Sequence, residues 1–453
     1  MFDYSLPGGL PAGSRTAWSR LPLQPLTETG LTPFSYSVLA EIAGRAWYQY
    51  FDQLGFDPMP KARVLRQFQG RPYLNLTISA QREAEHAALE PFTLRLDGQW
   101  FPLCKWEKPG LLAGFKASLN QKKIDDTLKQ LNGEIDAVTQ KAQSWWAKTQ
   151  GWRWTQAEIL QIMEEIEQAA TPSFLSFFVA RYNLEVALNR LFRYTVDKMA
   201  YPTNLAALQT IIDDRAHAPV EQDVYERLAV LVNLFIGDPS AMVWLKSGAF
   251  VRWQETLPNS QLTTALNEFL KRYGHRRLGL KQQKAGYTGE GELGAPRWHE
   301  DPTPLFSQML AYPASSGQAG AALSATQSEQ QILAAVEAGR RKEATALLQK
   351  IHQCLALQSR ALHAFAYILD GTRRWALAAA REAMLDQRLL GEDEVFFFEL
   401  EEIKQMMTGE WNVSDKSEIQ SAYARRKAEY TQWQEASSTA LLIGDTAAIS
   451  RHA

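Results

Sequence analysis

Apolar residues recur along most of the chain at the three-to-four-residue spacing of helices with one buried side. Behind Pro33, a residue suited to a first helical turn, Val38, Ile42, Trp47 and Phe51 keep that spacing. From about 112 to 215 the pattern is helical almost throughout. There Thr155 and Glu158 form a capping box ahead of Ile159, Met163 and Ile166. "SFFVARYNLEVALNRLFRY" is a second strongly apolar helix, and helices continue from 220 to 273 with breaks near Gly237–Pro239 and Pro258. Further on, Thr326 and Glu329 are expected to cap a long helix with the stripe Ile332, Val336, Leu347, Ile351 and Leu355, broken at Gly371. A basic helix, "YARRKAEYTQW", follows. The best strand or hairpin signal is Phe68 to Ile78, "FQGRPYLNLTI".

These patterns predict a mainly α, multi-helix protein with a minor β element near the N-terminal third. Residues 1–32 read as an extended lead-in and 33–310 as a helical lobe with a small strand element. The small-residue stretch 311–330 reads as a flexible linker, 331–435 as a C-terminal helical part of the same domain, and 436–453 as a loose tail. No internal repeat is convincing.

Composition narrows the function classes. At 453 residues, 45% hydrophobic and 22% charged, the chain has the make-up of a globular protein. A net charge of -2 gives no general attraction to nucleic acid or anionic lipid. Two distant cysteines, Cys104 and Cys354, exclude a disulfide framework or a cysteine zinc site and fit a reducing cytoplasm. Neither a signal-peptide pattern nor a long uncharged apolar run is present, so a cytoplasmic protein without a membrane span is expected.

Two stretches concentrate chemistry. "KRYGHRRLGLK", Lys271 to Lys281, is strongly basic, and "EGELGAPRWHEDP" follows it. "GEGELG" matches the dinucleotide fingerprint literally but lacks the preceding strand and following helix that the fingerprint needs, so it reads as a loop. No metal-binding spacing occurs among the seven histidines, and a metal site would need ligands gathered from afar; none is expected. His275 is either a loop histidine satisfied by local hydrogen bonds or an anion or hydroxyl contact at a pocket rim. Arg276 and Arg297 have Glu290, Glu292, Glu300 and Asp301 as nearby ion-pair partners. Arg360, His363, Tyr367, Arg374 and Arg381 share one face of a continuous helix, either a phosphate grip or a solvated basic face. The phenylalanines of "VFFFELEEI" make core or the wall of an apolar ligand site.

"LTPFSYSVL", "GRPYLNL", "FLKRYGHRR", "PRWHEDP", "DEVFFFELEEI" and "RRKAEY" occur in that order. From about residue 25 to 435 the series resembles the central, acceptor-binding domain of phosphoenolpyruvate-synthase-like phosphotransferases, the rifampicin phosphotransferase family in particular. The resemblance implies a division of labour. An ATP-grasp domain charges a histidine on a swivelling domain, and the phosphohistidine delivers its phosphoryl group to an acceptor held in the central domain. It places Arg360 on the family's phosphate-facing arginine, the catalytic position, and Ala364 where the family has a lysine. His275 with Arg276 matches the "YGHR" loop at the pocket edge, and Arg297, His363, Arg374 and Arg381 complete the substrate-side set. His452 lacks the glycine-rich loop of the family's phosphocarrier. The expectation is therefore an acceptor-binding subunit of a split phosphotransferase, holding a small, largely apolar hydroxyl compound. Its partners would be ATP-grasp and phosphohistidine-domain proteins. No cofactor is expected on this chain alone; ATP and magnesium act through the partners. The alternatives are a non-catalytic small-molecule-binding or scaffold protein, and a fragment of a longer phosphotransferase.

Overall fold

The computed structural model describes residues 3–4, 16–27, 30–56, 63–85, 89–96, 98–106, 110–151, 153–248, 250–277, 289–311, 324–409, 416–436 and 439–444. His452, Lys281 and most of the expected linker lie outside them.

The chain opens with β1 (Asp3–Tyr4) and β2 (Ala17–Ser19), then α1 (Pro33–Gln53), β3 (Leu65–Phe68), β4 (Arg71–Asn75) and α2 (Leu76–Glu85). After β5 (Thr93–Leu96) and β6 (Gln99–Pro102) come three helices, α3 (Leu111–Gly151), α4 (Gln156–Thr195) and α5 (Tyr201–Ile212). Shorter helices follow: α6 (Pro219–Gly237), α7 (Pro239–Ser247), α8 (Trp253–Thr256), α9 (Ser260–Tyr273), α10 (Thr303–Ala311) and α11 (Ala325–Ala335). The last part holds α12 (Arg341–Leu385), α13 (Leu400–Thr408), α14 (Lys416–Glu435) and β7 (Leu441–Ile443). The protein is mainly α with a minor β element.

Three long helices make the frame. α12, 45 residues long, is buried on nearly all sides along its middle, as expected of a helix rich in Ala and Leu around its circumference. α3 runs parallel to it in a fixed register: Asp136 meets Arg360, Gln143 meets Tyr367 and Trp146 meets Asp370, each pair 224 residues apart. α4 runs antiparallel on another side, where Trp375 donates to the Ile159 carbonyl, Phe365 packs on Phe174, and Tyr194 donates to Glu343. α4 starts from the expected Thr155–Glu158 capping box. α1 lies along α4 through Tyr50, Phe178 and Asn183.

Gly371 does not break α12. A Cβ there would lie 2.4 Å from Cζ3 of Trp145, so this glycine is the point where the indole of α3 presses on the helix backbone. The cap of α11 is also shifted from its expected place. Ser324 accepts from Gln327 and forms the capping box, which releases Glu329 for another partner.

The β signal resolves into a hairpin of β3 and β4, turned by Gln69 and Gly70 at φ 47° and 71°. Positive φ at both turn residues matches the twist of the paired strands. Strand order is β3-β4-β2-β7, so the tail, expected to be loose, supplies the edge strand Leu441–Ile443 against β2. Leu76 and Ile78, expected in the strand, begin α2 instead, where Asn75 Oδ1 accepts from the Thr77 and Ile78 amides. A second small sheet has the order β1-β5-β6.

Among the described residues no single helix is long and apolar enough to cross a membrane. α6 and α7 together are apolar enough, but they bend by 109° at their junction.

Candidate functional site at the middle of the long helix

Ser359, His363, Tyr367, Asp370 and Arg374 follow one another on α12 at steps of three or four, so they form one polar stripe on a mostly apolar helix. The stripe is covered by α3, by the start of α6, by the residues after α9, and by the segment 289–302. Far from being a wet loop, much of that segment is buried: Glu290 and Arg297 are fully so. Glu292 explains why. Its carboxylate accepts from the Thr32 amide and from the Thr32 and Ser35 hydroxyls, closing the N-terminus of α1. The amide of Gly294 turns back onto the same carboxylate.

At one end of the stripe Arg276, with no exposed surface, lies between two buried acids. Its Nε donates to Glu290, a terminal nitrogen lies 3.5 Å from Glu221, and the other terminal nitrogen lies 3.2 Å from His363 Nδ1. Glu221 also accepts from the Ser359 hydroxyl. Arg297 donates to the Glu290 carbonyl, while its Nε and second terminal nitrogen have no partner among the described residues. Burial lowers its pKa to about 10, opposed by Asp370 and Glu290.

In the middle sits His275, stacked on Tyr367 with ring centroids 3.7 Å apart and bordered by Trp146 and His363. Among the described residues neither ring nitrogen has a hydrogen-bond partner, contrary to the reading of a locally satisfied loop histidine. Burial holds its pKa well below the usual histidine range, and His363 and Arg276 add to the effect. Burial, again with help from Arg276, brings His363 down to about 3. Both rings are neutral at physiological pH.

At the other end, fully buried Asp370 binds three donors. Trp146 donates from α3, His299 lies 2.9 Å away, and Arg374 donates from the next turn at 3.2 Å. Burial alone raises a carboxyl pKa, but His299, Arg374 and Trp146 outweigh it and hold Asp370 below its ordinary value. Arg374 also reaches His299 at 3.2 Å and lies over the Trp146 ring. Both side chains, about a quarter exposed, face a cleft of about 320 Å³. Gln150, Trp154, Glu300 and Arg381 line it as well. Trp154 takes a left-handed backbone conformation, φ 59°, at its edge.

The fold thus gathers His275, Arg276, Arg297, His363 and Arg374 around one stripe, with Arg381 on the outer side of the cleft. Arg381 makes two hydrogen bonds to Glu392. Arg360 is set apart: it pairs with the exposed Asp136 of α3 at 2.6 Å. Ala364 has no exposed surface and packs in the core. The largely apolar cavity lined by Leu74, Phe92, Phe177 and Tyr182 holds only about 30 Å³, room for about one water molecule. Of the three phenylalanines in "VFFFELEEI", Phe396 and Phe398 are core.

Residues 173–359 match the family described as Rifampicin phosphotransferase fourth domain. That stretch, from within α4 to the middle of α12, is what the chain shares with the family. No curated protein matches it. Glu221, His275, Arg276, Glu290, Arg297 and His299 fall inside the matched stretch, whereas His363, Asp370 and Arg374 lie on the remainder of α12.

Proposed function

We propose that this chain acts on the acceptor side of phosphoryl transfer, binding an anionic phosphoryl group and a small acceptor in the cleft beside α12. The observation that carries this reading is the His299–Arg374 pair, anchored on buried Asp370 and opening into a cleft that Arg381 also lines. Three nitrogen-bearing groups around one concavity suit the oxygens of a phosphoryl group, and guanidinium groups bind such oxygens in pairs. Trp154 and Leu377 offer apolar surface to the carbon skeleton of a small hydroxyl compound. At about 320 Å³ the cleft is at the lower end of small-molecule sites, whereas the 30 Å³ apolar cavity is an order of magnitude too small.

In the reaction the N–P bond of a phosphohistidine on another domain breaks and an O–P bond to the acceptor forms. The hydroxyl proton ends on the departing imidazole. Such transfer depends on positioning and charge neutralisation, which fixed arginines supply. ATP-grasp and phosphohistidine-bearing proteins are the proposed partners, with ATP and magnesium handled by them.

A non-catalytic binding role is the second reading. Arg360 is engaged by Asp136 on the surface, and Ala364 is buried, which favours it. Two measurements separate the readings. Inorganic phosphate titrated into the purified chain is expected to bind, and Arg374→Ala to weaken it about tenfold or more. Mixing the chain with phosphohistidine-bearing partners and candidate hydroxyl compounds is expected to give a phosphorylated acceptor. Phosphate binding without transfer supports the binding role; indifference of both to Arg374→Ala sinks the cleft as the site.

A further inference from the structure

A second cluster lies away from the cleft, on the N-terminal half of α12. His352 of α12, Glu329 of α11 and His217, from the turn between α5 and α6, bring their donor atoms within 4.8 Å of one another. His352 Nε2 lies 2.8 Å from Glu329 Oε1. The imidazoles of His217 and His352 are stacked, centroids 3.7 Å apart and planes 8° from parallel. Asp214 stands behind: one carboxylate oxygen accepts from the Ala216 amide, and the other lies 3.9 Å from His217 Nε2.

We propose that His217, Glu329 and His352 bind a divalent transition-metal ion of the zinc type, with Asp214 as a fourth ligand or as the group that orients His217. Two imidazoles and one or two carboxylates are the donors such ions prefer, whereas calcium and magnesium take all-oxygen sets. An ordinary His–Glu ion pair accounts for His352 and Glu329 but not for a second imidazole stacked on the first. Metal ligation takes the neutral form of each imidazole, so binding is expected to weaken as pH falls. The four side chains are each about a quarter exposed, so an ion has a path in and a water can complete the shell. Parallel rings direct their lone pairs side by side, so binding turns one ring about its Cβ–Cγ bond toward the shared ion.

The ligands come from three separate elements, so the ion would staple α11 to α12 and to the start of α6. His352 lies 22 residues before Arg374 of the cleft, about 33 Å along the helix, so the staple acts on the scaffold of the site and not on its chemistry. No local motif marks it, because the ligands are spread from 214 to 352 in sequence.

Cobalt(II) and zinc(II) titrated into the chelator-stripped full chain test the assignment. The expected result is one equivalent of cobalt with the visible absorption of a low-coordinate N/O site, displaced by zinc, and a raised melting temperature. His217→Ala and His352→Ala should each abolish that equivalent, and Glu329→Gln should weaken zinc about 10–100-fold, as loss of a ligand or its support does. Circular dichroism checks each variant's fold, and His352→Gln replaces an alanine variant that does not fold. Absence of stoichiometric binding, or binding unchanged in the histidine variants, overturns the proposal.

Discussion

His275 lies flat on Tyr367, with the two planes within 13° of parallel, yet neither imidazole nitrogen has a hydrogen-bond partner among the described residues. A buried polar group in that condition costs about 1–3 kcal/mol. Stacking recovers part of this only while the ring is neutral, because charging it beside Arg276 and Arg297 adds repulsion to desolvation.

A pH dependence follows, with a definite sign. The unfolded chain takes up a proton at His275 near pH 6.5, while the folded chain does not until far lower pH. Folding stability should therefore fall as pH drops below about 6.5, by about 1.4 kcal/mol per pH unit for each such histidine. His363, at about 3 in the fold, adds the same trend. Glu83, raised by burial to about 7, works the opposite way between 4.5 and 7. Denaturant titrations at stepped pH, comparing the wild type with His275→Phe, isolate the histidine contribution. An unchanged slope in the variant rejects the assignment.

Arg276 should matter to stability more than any arginine of the cleft. Arg276→Met leaves Glu221 and Glu290 buried without their cation, a situation worth about 3–5 kcal/mol. Arg381→Ala loses only an exposed pair with Glu392, worth less than about 1 kcal/mol. Urea unfolding of both variants checks the ordering. Equal losses would mean that the Glu290–Arg276–Glu221 triad carries no structural weight.

How much of this was legible in the sequence depends on how local the signal is. The Thr155 box and the Pro33 start are local, and both elements form as read. Thr326 with Glu329 has the same spacing as a true box, but Ser324 and Gln327 take the cap while Glu329 reaches His352. Gly371 looks like a break because helix propensity disfavours glycine; its reason is Trp145, more than two hundred residues earlier. His275, Arg276, Arg297 and Arg374 stand out as polar residues in motif-like stretches, and the fold brings them together. Asp370 gave no signal, being one carboxylate within an apolar helix, although it anchors Trp146, His299 and Arg374. His299 is one polar residue among several in "PRWHEDP", and no spacing marks it as the partner of Asp370. Arg360 stands on the polar face of the helix and, by resemblance, on the family's arginine, but its partner Asp136 is visible only once α3 and α12 are in register.

Asp370 is expected to control anion binding without touching the anion. Asp370→Asn keeps the shape but removes the charge that holds His299 and Arg374 in place. Phosphate affinity should fall about tenfold, comparable to losing one charge-assisted hydrogen bond of about 1.5–3 kcal/mol. Because the carboxyl pKa is held down in the fold, wild-type stability gained from Asp370 is complete above its unfolded pKa, about 3.9, and is lost as pH falls further. Phosphate titration by calorimetry on a variant with unchanged circular dichroism reads the effect directly. Full affinity in Asp370→Asn would show that His299 and Arg374 are held by other contacts.

The same substitution should have opposite signs at two glycines of the helix frame. Gly133 of α3 is exposed and a Cβ there meets nothing within 4 Å, so Gly133→Ala gains helix propensity and stabilises by about 0.5–1 kcal/mol. At Gly371 the same gain is opposed by the Trp145 ring 2.4 Å from the new Cβ. An indole cannot bend away, so either α3 shifts from α12 or the ring leaves its rotamer, at about 1–3 kcal/mol for an overpacked core. Gly371→Ala should therefore destabilise in urea, and the smaller ring-free side chain of Trp145→Leu should cost less in the Gly371→Ala background than alone. That non-additivity is the mark of direct contact. The register of α3 on α12 sets the Trp146–Asp370 hydrogen bond one residue away, so Gly371→Ala should also weaken phosphate binding, which Gly133→Ala leaves unchanged.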